Sequence, residues 1–465
     1  MNELSAIDWK TEGAACVELL RSLLRIPTVN RGDGSEKDGN EKPAAELLAE
    51  HFRAAKLEPK LLAKKAGRSS VVARLKGNGK KPPILLNAHL DVVEADETKW
   101  QHPPFAGEIH DGYLWGRGAI DMKNMAAMGA RVLCMLSERF GPGKLDRDVI
   151  FAGVADEEAG CANGSLFLVD DHPDEVRAEY TLGEIGAFSQ AIFGRSFYPI
   201  QTAEKGVCWV RATFEGEPGH GSMPNPDSAV IQLGEALRKL GRTRLPQHPT
   251  AAVRKFIAAM ARELPAPQRN VLKRLTTPQL AALILDYAVK DPGQKRTFGA
   301  ILSNTATPTV VRAGSKVNVI PGSATVDIDG RTLPGQTDAS FLEELRDVLG
   351  DRAKLEVLRS LPPVETPDDT PMFTHLAKTL RAHDPAALPI PFVIPGFTDA
   401  KAYARLGSKC YGFSPVRFDP EEQARGAVSF SRMYHGHDER VPIAGLTWGL
   451  EVLFAAVSRW SMPLD

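Results

Sequence analysis

The stretch Asp148-Val149-Ile150-Phe151-Ala152-Gly153-Val154-Ala155-Asp156-Glu157-Glu158-Ala159-Gly160 decides how this chain is read. Val149 to Val154 is a short apolar run rich in β-branched side chains, the signature of a buried strand. Two adjacent glutamates follow at the strand's C-terminal end, beside a glycine. On an extended chain neighbouring side chains point to opposite faces. One carboxylate can then hold a metal ion while the other faces a reacting water. Taken alone, Asp-Glu-Glu also fits a solvated loop.

Outward from that strand, elements alternate. Residues 11–25 carry Val17, Leu19, Leu20, Leu23 and Leu24 at helical spacing, closed by Ile26-Pro27. Residues 31–40 are Gly, Asp and Ser with charges, a loop. Glu41 to Ala55 is a second amphipathic helix with a proline near its first turn. Ser70 to Leu75 and Ile84 to Val93 are strands. Asn124 to Phe140 is a long helix whose small residues Ala126, Ala127, Gly129 and Ala130 suit close packing on a sheet. Another helix starts near Ser165. Such alternation predicts an α/β layer with a largely parallel sheet flanked by helices.

Near Glu204 the pattern changes. Gly206 to Phe214 alternates like a half-exposed antiparallel strand. Asp227 to Leu240 is a helix, 245–300 is helix-like and punctuated by prolines with Leu280 to Val289 clearest, and Val310-Val311 and Ala324 to Ile328 return to strand. This block reads as an α+β domain of about 130 residues inserted into the first. The expected division is 1–203, 204–332 and 333–465.

Composition excludes several classes. The 465 residues are 25% charged and 43% hydrophobic with net charge −1, ordinary for a globular chain of two or three domains. No long basic run argues for nucleic acid or a membrane surface, and no run of about 18 apolar residues argues for a span. Cys16, Cys134, Cys161, Cys208 and Cys410 are scattered and odd in number, as reduced thiols of a cytoplasmic protein are. The N-terminus, Met1 to Asp8, is polar and acidic, unlike a signal peptide. Gly79-Lys80 lacks the rest of a phosphate loop, and neither Gly-x-Ser-x-Gly nor His-Glu-x-x-His occurs.

Metal-ligating residue types recur at the ends of expected strands. Leu85 to Asp91 puts His89 and Asp91 on one side of a strand end, where Asp91 can fix the second nitrogen of a histidine ligand. Gly116 to Lys123 puts Asp121 in a glycine-rich turn before a helix. Glu157 and Glu158 come next, Tyr180 to Gly183 runs into Glu184, and Tyr434-His435-Gly436-His437-Asp438-Glu439-Arg440 stands near the C-terminus. Singly, each has a plain structural use: a core histidine, a helix N-cap, a surface carboxylate, loop histidines. Together, two histidines and three carboxylates suit two divalent ions with one carboxylate between them. Spacing leaves the choice between His435 and His437 open.

His89-x-Asp91, Gly-x-Asp121-Met-Lys, Asp-Glu157-Glu158-Ala-Gly, Glu184 and His435-x-x-Asp-Glu-Arg together resemble the dinuclear zinc aminoacylase/carboxypeptidase family. That family includes acetylornithine deacetylase, succinyl-diaminopimelate desuccinylase, aminoacylase, carnosinase and carboxypeptidase S. The similarity runs from about residue 15 to about residue 455. It implies a catalytic domain plus an inserted lid/dimerisation domain, two divalent ions (zinc first, cobalt or manganese otherwise), and a homodimer. By resemblance Asp121 bridges the ions, His89 and Glu184 complete one site, and Glu158 and His435 the other. Glu157 is then the general base and Asp91 orients His89. His220, in Gly219-His220-Gly221-Ser222, matches the family's oxyanion donor, which can act across a dimer. Asn318, Arg331, Gly396 and Thr398 match segments that hold a substrate carboxylate. Cys161 and Ala187 stand where relatives often have glycine, and 241–300 is long, as in carboxypeptidase S-like members.

The implied activity is hydrolysis of an amide bond next to a free carboxylate in a small peptide or N-acyl amino acid. An exopeptidase of the carboxypeptidase kind comes first, with N-acyl-amino-acid deacylase as the alternative. A binding protein without turnover is a third reading, against which Glu157 beside a full ligand set speaks.

Overall fold

In the computed structural model, residues 7–32, 38–192, 194–289, 292–428 and 430–463 are described. Residues 1–6 of the polar N-terminus, 33–37 of the expected loop, and 290–291 of the helix-like stretch lie outside them. The chain packs into two units, one made of residues 1–202, 366–390 and 398–465, the other of 203–365 with 391–397.

The first unit is an α/β layer. Its sheet runs in the order Lys60–Ala63, Ser69–Leu75, Val149–Val154, Ile84–His89, Tyr180–Gly183, Lys409–Gly412, Arg195–Glu204. The four central strands, from Val149–Val154 to Lys409–Gly412, are mutually parallel, and the pairs outside them are antiparallel. Strands buried on both faces read as continuous apolar runs rather than alternating ones. Every residue of Val149–Val154 and of Ile84–His89 is buried. The helix Lys123–Arg139 lies against them, and its small residues allow the approach. A Cβ added at Gly129 would meet the Phe151 ring at 3.0 Å. Trp9–Leu24 and Ile443–Ser461 pack on the same layer, the former N-capped by Asp8. Leu20, Leu86, Leu133, Phe151 and Leu450 are fully buried in its core. Each contributes about 1.5–3 kcal/mol of transfer free energy.

The second unit is a four-stranded antiparallel sheet, ordered Thr305–Ala313, Ser323–Thr332, Gly206–Glu215, Lys354–Leu361. The expected alternation holds: Val210, Ala212 and Phe214 are buried while Arg211 and Thr213 are half-buried. Helices Ala229–Leu240 and Asp338–Leu349 cover the inner face through Leu233, Phe341 and Leu345. The expected segment 204–332 falls inside this unit and stops short of its end. The unit continues to 365 because Lys354–Leu361 pairs with Gly206–Glu215. Among the described residues no helix is long and apolar enough to cross a membrane.

Candidate metal centre

Parallel neighbours end at one level, and that geometry assembles the site. His89 pairs in register with Val154 of the next strand. Residues 155–158 therefore leave the sheet beside the imidazole. Tyr180–Gly183 is parallel on the other flank, so Glu184 emerges at the same carboxyl edge, where open α/β sheets bind ligands.

The Asp-Glu-Glu segment is a tight turn and not an extension of the strand. Asp156 has φ 68°, Gly160 N donates to Glu157 O at 2.8 Å, and Cys161 N donates to Asp156 O. A Cβ at position 164 would lie 1.7 Å from the Ala155 carbonyl, so only glycine closes this loop. The expectation that neighbouring glutamates face opposite ways is thereby corrected. Glu157 and Glu158 both bring an oxygen near His89, and Asp156 is the residue that turns away. Its carboxylate accepts from Arg68 Nη2 at 2.9 Å and from Asn163 N and Nδ2 at 2.9 and 2.7 Å.

Two three-residue clusters share Asp121: His89, Asp121 and Glu184, and Asp121, Glu158 and His435. His89 Nε2 lies 3.0 Å from Asp121 Oδ1 and 3.4 Å from Glu184 Oε2. His435 Nε2 lies 2.9 Å from Asp121 Oδ2 and 3.2 Å from Glu158 Oε2. One carboxylate thus turns one oxygen to each histidine. Glu157 Oε2 stands 4.0 Å from His89 Nε2. His435 is half exposed, Glu158 is half-buried, and the rest are buried. His437 is exposed and belongs to neither cluster.

The electrostatics point to cations. Burial alone would lower the His89 imidazole, yet the Glu184 charge and its bonds to Asp121 and Asp91 hold it well above the usual histidine range. Burial likewise opposes a charge on His435, but Asp121 and Glu158 push it up to about 10. Burial, then the neighbouring carboxylates, raises Glu184 to about 8 and Glu157 well above the usual range. Four carboxylates around two imidazoles leave an excess of negative charge. Glu158 Oε1 is also buried without a hydrogen-bond partner. An imidazole and carboxylate donor set of this kind fits two borderline-to-hard divalent ions.

Asp91 approaches His89 more closely through its main chain than through its carboxylate. Its backbone carbonyl lies 2.9 Å from His89 Nδ1 and its Oδ1 lies 3.5 Å away. The same carboxylate accepts the backbone N–H groups of Glu157 and Glu158 at 3.1 and 3.0 Å and Asn30 Nδ2 at 2.8 Å. It fixes the turn that aims both glutamates. Glu439 does the same for Asp121, accepting from the backbone of Gly118, Ile120 and Asp121 at 3.0, 2.7 and 3.0 Å and from Arg117 Nη1 at 2.8 Å. Tyr434 donates to Glu184 Oε2 at 3.2 Å. Sequence reasoning assigned no role to Asn30, Arg68, Tyr434 or Glu439. Cys161 and Ala187 have φ 70° and 61°, the left-handed region that glycine adopts most readily.

The remaining expected residues fall in two places. Thr398 is buried in the first unit, in a cavity wall with Asn87, Glu184 and Asp399. His220, Asn318, Arg331 and Gly396 belong to the second unit. His220 and Asn318 are neighbours there: Gly221 N donates to Asn318 O at 2.9 Å, and His220 pairs with Val319. Both are exposed, and His220 Nδ1 is 2.8 Å from Ser222 Oγ. Arg331 spends two guanidinium nitrogens on Asp329, at 2.7 and 3.2 Å, stacks over Phe397, and keeps Nη1 buried without a partner.

Comparison with known proteins agrees with this geometry. The model of peptidase family M20/M25/M40 matches residues 85–459. The chain is 29% identical to an N-fatty-acyl-amino acid synthase/hydrolase of Mus musculus, over 96% of this chain and 88% of that protein. It is 29% identical to a probable carboxypeptidase S-like 2 of Dictyostelium discoideum, over 78% of this chain and 68% of that one. Among solved structures it resembles an M20 family metallo-carboxypeptidase from Sulfolobus solfataricus, with a TM-score of 0.67, 18% identity, and coverage of 95% and 98%.

Proposed function

The chain belongs to peptidase family M20/M25/M40 and is a metal-dependent amide-bond hydrolase, and from that premise we propose that its substrate is an N-acyl amino acid. This takes the alternative of the sequence reading over the carboxypeptidase-like exopeptidase placed first. What carries it is that relatives aligned over 96–97% of this chain bear the name N-fatty-acyl-amino acid synthase/hydrolase.

His89, Asp121 and Glu184 would hold one divalent ion and Asp121, Glu158 and His435 the second, with zinc favoured by the donor set. Bound there, the ions supply Lewis acidity that polarises the scissile carbonyl and acidifies water. Glu157 Oε2 takes the proton of the attacking water and returns it to the leaving nitrogen. Its raised affinity for a proton, from burial and Glu184, suits that shuttle. Asp91 holds the Glu157 and Glu158 backbones and His89 in place. From the family resemblance, His220 would serve as the oxyanion donor and Asn318, Arg331, Gly396 and Thr398 would hold the substrate carboxylate. The unpartnered Nη1 of Arg331 supports its part.

A homodimer fits the exposed Val310 and Val311 of the edge strand Thr305–Ala313 and the exposed Val230 and Ile231 of Ala229–Leu240. A cytoplasmic setting fits five unpaired cysteines. The test is a panel of N-acyl amino acids against dipeptides with the same C-terminal residue, each with zinc, cobalt and manganese. Higher kcat/KM on acyl substrates, rising with acyl length, is expected. Preference for dipeptides would reject the assignment.

A further inference from the structure

A second cluster of metal-ligating side chains lies apart from the catalytic centre. His102, Glu108 and His110 present ligand atoms within 4.8 Å of one another. His110 Nε2 is 2.8 Å from Glu108 Oε2, and His102 Nδ1 is 3.7 Å from the same oxygen. The two imidazoles are stacked, with centroids 3.6 Å apart and planes at 9°. The His102 and Trp115 rings are nearly perpendicular, with centroids 4.6 Å apart. Glu108 and His110 share a face because side chains two apart on an extended segment do.

We propose that His102, Glu108 and His110 form a separate binding site for a divalent transition-metal ion of the zinc class. Hydrogen bonding alone leaves the trio incompletely matched. One imidazole is within bonding distance of Glu108, and the other, at 3.7 Å, is not. A tetrahedral ion about 2.0–2.1 Å from each donor sets the donors about 3.3 Å apart. The 2.8 and 3.7 Å separations fall on either side of that value, so shifts of about half an ångström, with the rings splaying from their stack, close the site. Side-chain exposures of 26–42% leave room for water as the fourth ligand.

The backbone around the trio is already fixed. Arg25 Nε donates to Ala106 O at 3.0 Å and Arg21 Nε to Gly107 O at 2.9 Å. Trp115 N donates to Glu108 O at 2.9 Å. The Arg440 guanidinium lies over the Trp115 ring, 4.4 Å from its centroid. An ion here would tie the 102 loop to the hairpin of Ile109–His110 and Tyr113–Trp115, which leads into the turn carrying Asp121.

The experiment is equilibrium dialysis of the intact protein against micromolar zinc, with bound metal counted per chain. Wild-type protein is compared with the double variant His102→Ala/His110→Ala and with Glu108→Gln. The double variant should bind one zinc equivalent fewer than wild type, and Glu108→Gln should hold that equivalent at least tenfold more weakly. Activity with zinc in excess should be unchanged in both, since none of the three belongs to the catalytic clusters. The readout is a difference of one equivalent, independent of how many ions the catalytic centre takes. Equal zinc in wild type and Glu108→Gln across the titration, or in wild type and a folded double variant, would overturn the site.

Discussion

Replacing Arg68 with Met should destabilise the protein in a strongly pH-dependent way. Arg68 is buried and meets Glu41 through Nε and Nη2, both at 2.8 Å, and Asp156 through Nη2 at 2.9 Å. Asn30 links Asp156 at 3.2 Å to Asp91 at 2.8 Å, and Asp91 holds the Glu157 and Glu158 backbones. Removing one partner of such a buried pair costs about 3–5 kcal/mol, because a charge stays behind unpaired. Glu41 supplies the pH dependence. Burial, with the Asp91 charge, already pushes it from 4.5 to about 7 against the opposing pull of Arg68. A carboxyl whose folded-state pKa is raised favours the folded state while protonated, below its unfolded value. That advantage, about 3 kcal/mol, is lost as pH rises from about 4.5 through about 7. Without Arg68 the folded-state pKa climbs further, so the variant keeps losing stability above pH 7. At pH 5.5 both proteins carry a protonated Glu41, and the deficit shrinks.

The assay is urea unfolding of metal-stripped wild type and Arg68→Met at pH 5.5 and pH 8, which removes the contribution of metal binding. A deficit of about 3–5 kcal/mol at pH 8, falling by about half or more at pH 5.5, is expected. The exposed pair Arg405–Asp170 gives a control, in which Arg405→Met should cost no more than about 1 kcal/mol at either pH. A pH-independent deficit, or one as small as the control's, would refute the reasoning.

Glu157→Gln should keep the metal content and lower kcat by about 10² or more, measured by steady-state kinetics beside metal analysis; near-normal turnover excludes Glu157 as the base. Glu439→Gln leaves buried Arg117 without its counter-charge and weakens the bonds that fix the backbone of Gly118 to Asp121. It should cost about 3–5 kcal/mol and speed zinc loss to a chelator, and unchanged zinc retention would count against the anchoring role. His220→Ala and Glu157→Gln should each be inactive alone and partly active when mixed if His220 acts in trans. No recovery from exchanging dimers, or a fully active monomer, rejects action across the interface.

The sequence by itself determined the element types, their order and the residues worth suspecting. β-branched apolar runs, helical spacing and turn residues act over a few positions, so strands such as Val149–Val154 and helices such as Lys123–Arg139 were legible locally. Placing His89, Asp121, Glu157, Glu158, Glu184 and His435 at element ends was legible for the same reason. Which of these meet was decided by strand order, because Val149–Val154, Ile84–His89 and Tyr180–Gly183 lie side by side only in the folded sheet. The turn after Val154 reversed the expected directions of Glu157 and Glu158, since a bend with φ 68° at Asp156 breaks the two-residue period. His435 was separated from His437 by contact with Asp121, and Asp91 and Glu439 gained their anchoring roles through bonds to residues 66 and 318 positions away. Such bonds have no local period to betray them. They exist because buried carboxylates must find donors, and the fold alone sets which donors are within reach.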